Sequence, residues 1–184
     1  MPKRCTNALG CHENGLENPF ARGSVSSVCM HYGGLVGDHT TASMVVSLEG
    51  NRTVVWSTGS TTPCVSLFKP WLFGTEEILP VVCPRDKEGE RYWLEAEKFR
   101  RSLLGKKLPA EYYTQRSEIQ QSWIDRAREI ADSEFPAFSR ACLAEEHGFY
   151  EQWKTYSFEN ATSAPGFLKR WEKKNKALFS SSEK

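Results

Sequence analysis

Four short runs between residues 24 and 73 constrain this chain more than anything else in it. They are SVSSVCMH (24–31), TTASMVVSL (40–48), TVVWSTGS (53–60) and CVSLFKP (64–70). Each is rich in Val, Thr, Ser and aromatics and is set off from the next by Gly, Asn, Asp or Pro, a pattern that predicts four consecutive antiparallel strands. In the first two, small polar residues alternate with apolar ones, so one sheet face is expected to be buried and the other lined with Ser and Thr. Glu49-Gly50-Asn51-Arg52 predicts a tight hairpin between the second and third runs.

Composition shifts near Cys83. Residues 1–84 carry five of the 24 Lys+Arg and six of the 23 Asp+Glu, so the second half holds most of the charge. There, Tyr92, Ala96, Phe99 and Leu103 fall on one helical stripe, and Gly105 supplies a stop. A second helix is predicted from Pro109, with Tyr112, Ile119, Trp123, Ala127 and Ile130 as its stripe. A third follows Ser133 with Phe135, Phe138, Cys142, Phe149 and Trp153, and is weakened by Gly148. A fourth opens at Ser163 with Pro165 in its first turn and carries Phe167, Trp171 and Leu178. The expected organisation is one α+β domain: an extended loop over 1–23, strands over 24–84, helices over 85–179 and a disordered tail over 180–184.

A net charge of +1 argues against a nucleic-acid or membrane-surface binder. No apolar run reaches the ~20 residues of a membrane span, and the first residues are not followed by a signal-peptide core. A cytoplasmic protein with reduced cysteines is therefore expected, with the Asn51 and Asn160 sequons unused.

Cys5, Cys11, His12, Cys29 and His31 offer zinc-type ligands, but their spacing is not that of a zinc knuckle, which places two cysteines two to four residues apart. No metal and no cofactor are expected, and the bland reading makes Cys29 a small buried strand residue. The glycine-rich Tyr32–His39 stretch lacks the Gly-Lys-Ser/Thr ending of a phosphate loop. His31 and His39 have no identifiable catalytic partner and read as structural or surface residues. Lys169, Arg170, Lys173, Lys174 and Lys176 read as a solvated helix face.

Cys29-Met30-His31, Thr40 to Met44, Trp56 to Gly59 and Pro63 to Pro70, in that order, resemble the later strands of secernins and related cysteine-nucleophile dipeptidases, and the likeness continues into Tyr92-Trp93. The resemblance implies a partial N-terminal-nucleophile hydrolase αββα sandwich that hydrolyses short peptides in the cytosol. In such enzymes the nucleophile is a cysteine at the mature N-terminus whose own α-amine, titrating near pH ~8, is the base. Cys5 sits in a Gly/Asn-rich loop rather than on a strand, so this chain reads as the C-terminal portion of such a dipeptidase. It is expected to hold no catalytic residue and to be inactive alone. Cys64, Ser66 and Lys69 are the expected substrate-binding residues, facing a pocket for a dipeptide or other small amide. The alternative is a non-catalytic interaction module, for which the resemblance implies a secretion-related role, with a protein partner covering the exposed sheet; a small zinc protein is a third reading. No nucleic-acid or membrane partner is expected.

Overall fold

The structure is a computed structural model and describes residues 6, 9–12, 16–33, 37–75 and 86–179. Cys5, the Cys83 composition boundary and the expected tail over 180–184 lie outside the described residues.

The fold is mixed α and β. Among the described residues its sheet has three antiparallel strands in sequential order: β1 (Met44–Glu49), β2 (Arg52–Ser57) and β3 (Lys69–Leu72). The predicted hairpin is present, with Glu49 opposite Arg52 and Gly50 at φ +61° in the turn. Among the described residues four helices follow the sheet: α1 (Lys87–Ser102), α2 (Ala110–Glu129), α3 (Phe135–Lys154) and α4 (Phe167–Phe179), with a 3-10 turn over Asp132–Glu134. Asp86 caps α1 by accepting from Gly89 N at 2.6 Å, satisfying one of the donors that a helix start leaves unpaired. Val54, Trp56 and Leu72 join Phe99, Tyr112, Trp123, Ile124 and Phe149 in one core. Arg52 fastens β2 to the end of α2 through Ala127 O at 3.0 Å and Ile130 O at 3.1 Å.

Three expectations are corrected. Residues 24–31 are not a strand; they close on themselves through a single bridge, His31 N to Ser24 O at 2.8 Å. The Ser24 side chain bonds the local backbone, its Oγ accepting from Ser26 N at 3.1 Å, and such a bond competes with a ladder. Cys64 to Phe68 is also irregular: a turn carries the chain from β2 into the core, and β3 begins only at Lys69. The fourth helix starts at Phe167 rather than Ser163, because Gly166 at φ +71° lies outside helical geometry.

The outer face of β1 also departs from expectation. Val45 packs against the core while Met44, Val46 and Leu48 point outward, so the exposed face of this strand is apolar and not lined with Ser and Thr.

The irregular N-terminal segment is built into the core. Phe20 is buried, its carbonyl accepts from Gly105 N at 2.6 Å, and Ala21 O accepts from Ala164 N at 2.9 Å. Gly23 and Gly33 let two stretches of this segment cross: a Cβ on Gly33 would lie 2.3 Å from Arg22 O, and one on Gly23 2.8 Å from Gly33 Cα. Gly33→Ala is expected to destabilise the fold by about 1–3 kcal/mol. Gly148→Ala, inside α3 with open space around its Cβ, is expected to stabilise by up to ~1 kcal/mol. Urea unfolding of the two variants checks both signs.

Candidate functional site

The three residues singled out from sequence, Cys64, Ser66 and Lys69, are all buried, and they face different surroundings. Lys69 Nζ donates to Thr58 O at 2.6 Å, Leu67 O at 2.9 Å, Tyr92 Oη at 2.8 Å and Glu146 Oε1 at 2.6 Å. Tyr92 and Tyr150 donate to the same carboxylate at 2.5 and 2.8 Å, and Arg100 Nη2 donates to Tyr150 Oη at 2.5 Å. Ser66 Oγ accepts from Arg100 Nε at 3.1 Å and lies 3.0 and 2.9 Å from the carbonyls of Thr61 and Thr62. The hydroxyls around the glycine bend are spent internally as well: Thr58 Oγ1 donates to Ser60 O, Ser60 Oγ to Thr58 O, and Thr61 Oγ1 to Glu97.

Cys64 turns the other way, toward a cluster that forms only in three dimensions. His31 Nε2 lies 3.3 Å from His12 Nε2, 3.4 Å from Cys29 Sγ and 3.4 Å from Cys64 Sγ. All four atoms lie within 4.8 Å of one another. Cys29, His31 and Cys64 are buried and His12 is half-buried. Local structure explains how they meet. The Ser24–His31 bridge brings Cys29 and His31 onto one loop, and Cys29 N donates to Cys11 O at 3.1 Å, which draws His12 alongside. Phe20 and His39 pack edge-on against the His31 ring, with centroids 5.1 and 5.7 Å away. Cys64 arrives on the turn after β2, where Thr62 sits at φ +53°. A β-branched residue in that region costs roughly 1–3 kcal/mol and persists only where its surroundings hold it; here Thr62 N donates to Thr40 O and Thr62 O accepts from Val65 N.

The electrostatics are lopsided. Contact with the Cys64 thiol, assisted by His12 and His31 and opposed by burial, pulls Cys29 down to about 3. Burial and the Cys29 charge push Cys64 well up. His39, whose Nδ1 accepts from Tyr32 N at 3.2 Å, is held down to about 4 by burial and then by His31. A neutral, hydrogen-bonded His39 fits the structural role expected of it.

Of the four, His12, Cys29 and His31 were legible in the sequence beside Cys5 and Cys11, whereas Cys64 lies 33 residues beyond His31; the ligand-rich loop offered no signal of that long-range partner. Glu146 and Arg100 were also missed, although each falls on the apolar stripe of its helix, where a charge signals a buried partner. No family model matches this sequence, and no curated protein or solved structure matches it either.

Removing one partner of the Lys69–Glu146 pair strands a buried charge. Glu146→Leu is expected to cost about 3–5 kcal/mol, and Lys69→Met/Glu146→Leu together much less than the two singles summed; urea unfolding of the cycle measures it.

Alkaline stability follows from the same network. Burial raises Tyr92, Tyr112 and Tyr150 above their ordinary values, so above about pH 10 the unfolded chain releases protons that the folded chain keeps, and stability falls. Burial lowers Lys69 to about 8, which has the opposite sign between about pH 8 and 10.4 because there the unfolded chain holds the extra proton. Three tyrosines outweigh one lysine above pH 10. The melting temperature is expected to drop between pH 10 and 11, with a shallower slope in Tyr92→Phe.

Proposed function

We propose that this chain is the later, non-nucleophilic portion of a secernin-like cysteine dipeptidase, and that further polypeptide carrying the cysteine nucleophile covers β1. The observation that supports it is the outward face of that strand. Met44, Val46 and Leu48 are 60%, 46% and 76% exposed, and Phe73 is 67% exposed. Among the described residues nothing pairs with the outer edge of β1. A contiguous apolar face on an unpaired edge strand marks a surface that another segment covers. In an αββα sandwich the covering layer would be a second sheet.

Within that reading Lys69, Ser66 and the Thr58–Thr62 hydroxyls support a substrate pocket from beneath. The hydrolytic step belongs to the cysteine at the mature N-terminus of the completed, cytosolic enzyme: its thiolate attacks the amide carbonyl, the amine leaves, and water releases the acyl group. Cys29, Cys64 and Cys142 are buried, so none of them is presented to an amide. The exposed apolar strand equally favours a second reading, a binding module whose partner is a separate protein.

Intact mass and N-terminal sequencing of the product purified from its natural source separate the two. A product well above 20.9 kDa, beginning with Cys and hydrolysing dipeptides in a thiol-sensitive manner, is expected. A product of 20.9 kDa beginning at Met1 or Pro2 would overturn the hydrolase reading in favour of the module. The 184-residue chain alone is expected to show no thiol-sensitive dipeptide turnover. Through this uncovered face the chain is expected to self-associate in light scattering, and Val46→Lys with Leu48→Lys is expected to suppress that while shifting stability by no more than about 0.5 kcal/mol per site.

A further inference from the structure

We infer that His12 Nε2, Cys29 Sγ, His31 Nε2 and Cys64 Sγ bind one zinc ion. The inference stands apart from the proposed hydrolase, because none of the four ligands lies on β1 and the site requires no nucleophile.

The donors around His31 outnumber the hydrogen bonds that its ring nitrogen can make. His31 Nε2 has three close neighbours, His12 Nε2, Cys29 Sγ and Cys64 Sγ, at 3.3–3.4 Å. A ring nitrogen carries either one hydrogen or one lone pair, so it cannot satisfy three such contacts as hydrogen bonds. Four lone-pair donors gathered about one point are satisfied together by a cation at their centre.

The separations between the four atoms fit a tetrahedral ion as well. A tetrahedral zinc about 2.3 Å from each sulfur and about 2.0 Å from each nitrogen sets ligand-to-ligand separations of roughly 3.3–3.8 Å. The three His31 contacts fall in this range, and the remaining pairs, all within 4.8 Å, close to it by small side-chain rotations.

Charge and ligand type complete the case. Two thiolates and two neutral imidazoles around a divalent ion sum to zero, so a site with three buried ligands holds no uncompensated charge. Thiolate and imidazole together select zinc over calcium or magnesium, which take oxygen ligands. Four protein ligands leave no open position, so this site organises structure and performs no hydrolysis. It joins three separate stretches: the segment carrying His12, the loop carrying Cys29 and His31, and the turn between β2 and β3.

Zinc released from the purified 184-residue chain on denaturation, read with a chromophoric chelator, is expected to equal one per chain. This measurement requires no variant. Stripping the metal is expected to lower the melting temperature by ~10 °C or more, with recovery on adding back zinc. His12→Gln, at the half-buried ligand, is expected to weaken zinc binding by more than the roughly 10- to 100-fold that even an outer-shell partner is worth. Cys11→Ser and Cys142→Ser are expected to keep the full zinc content. A zinc-free chain whose melting temperature ignores chelator would overturn the inference, as would a different metal bound in stoichiometric amount. Zinc retained in Cys64→Ser but lost in Cys11→Ser would overturn the ligand set. None of these outcomes bears on dipeptide turnover by the natural product, so this inference and the proposed function fail independently.

Discussion

The Lys69–Glu146 ion pair joins the two halves of the molecule. One partner opens β3 and the other lies on α3, their Nζ and Oε1 atoms are 2.6 Å apart, and their side chains are 0% and 1% exposed. A charge buried to that degree survives only with a counter-charge and further hydrogen bonds. The surrounding structure supplies them: Thr58 O and Leu67 O for the ammonium, Tyr92 and Tyr150 hydroxyls for the carboxylate. Each of these groups comes from a different part of the chain, so the strand, the glycine bend, α1 and α3 must all be in place before the pair is satisfied. An apolar contact tolerates sliding, whereas this network admits one arrangement of sheet against helices.

The N-terminal segment is held by a different logic. It has little regular structure, and its order comes from contacts at both ends. Tyr32 O accepts from Trp171 Nε1 at 3.0 Å, Gly33 O accepts from Arg170 Nη2 at 2.5 Å, and Lys174 lies over the Tyr32 ring. Part of the basic face of α4 is thereby directed at the protein itself. Between these anchors and Phe20 sits the cysteine and histidine cluster, where a bound ion would supply the covalent-like fastening that an irregular loop cannot obtain from a backbone ladder.

Helix positions were legible in the sequence because their signal is local. Phe99, Leu103, Trp123, Ala127, Phe135, Cys142, Phe149, Trp153 and Trp171 stand on predicted stripes and are buried. The hairpin was equally legible, its turn chemistry and alternation agreeing. The first and last strand-like runs were misleading because composition records β propensity without recording whether a neighbouring strand exists to pair with. In residues 24–31 the Ser24 hydroxyl and a loop-closing bridge took backbone bonds, and a turn strained at Thr62 carried 64–68 inward. The cluster itself was half visible: His12, Cys29 and His31 were recognisable as zinc-type ligands, but the spacing rule that argued against them applies to ligands on one short segment. Cys64 completes the set from across the fold, and only topology could bring it there. The outward apolar face of β1 was likewise beyond reading, since alternation identifies two faces without saying which one is covered.

The most direct measurement is X-ray absorption at the zinc edge on the purified chain, because it reads the ligand atoms themselves. Two sulfurs near about 2.3 Å and two nitrogens near about 2.0 Å, with the outer-shell pattern of imidazole rings, is the expected result. A shell of oxygen and nitrogen alone, or one of four sulfurs, would contradict a zinc held by His12, Cys29, His31 and Cys64.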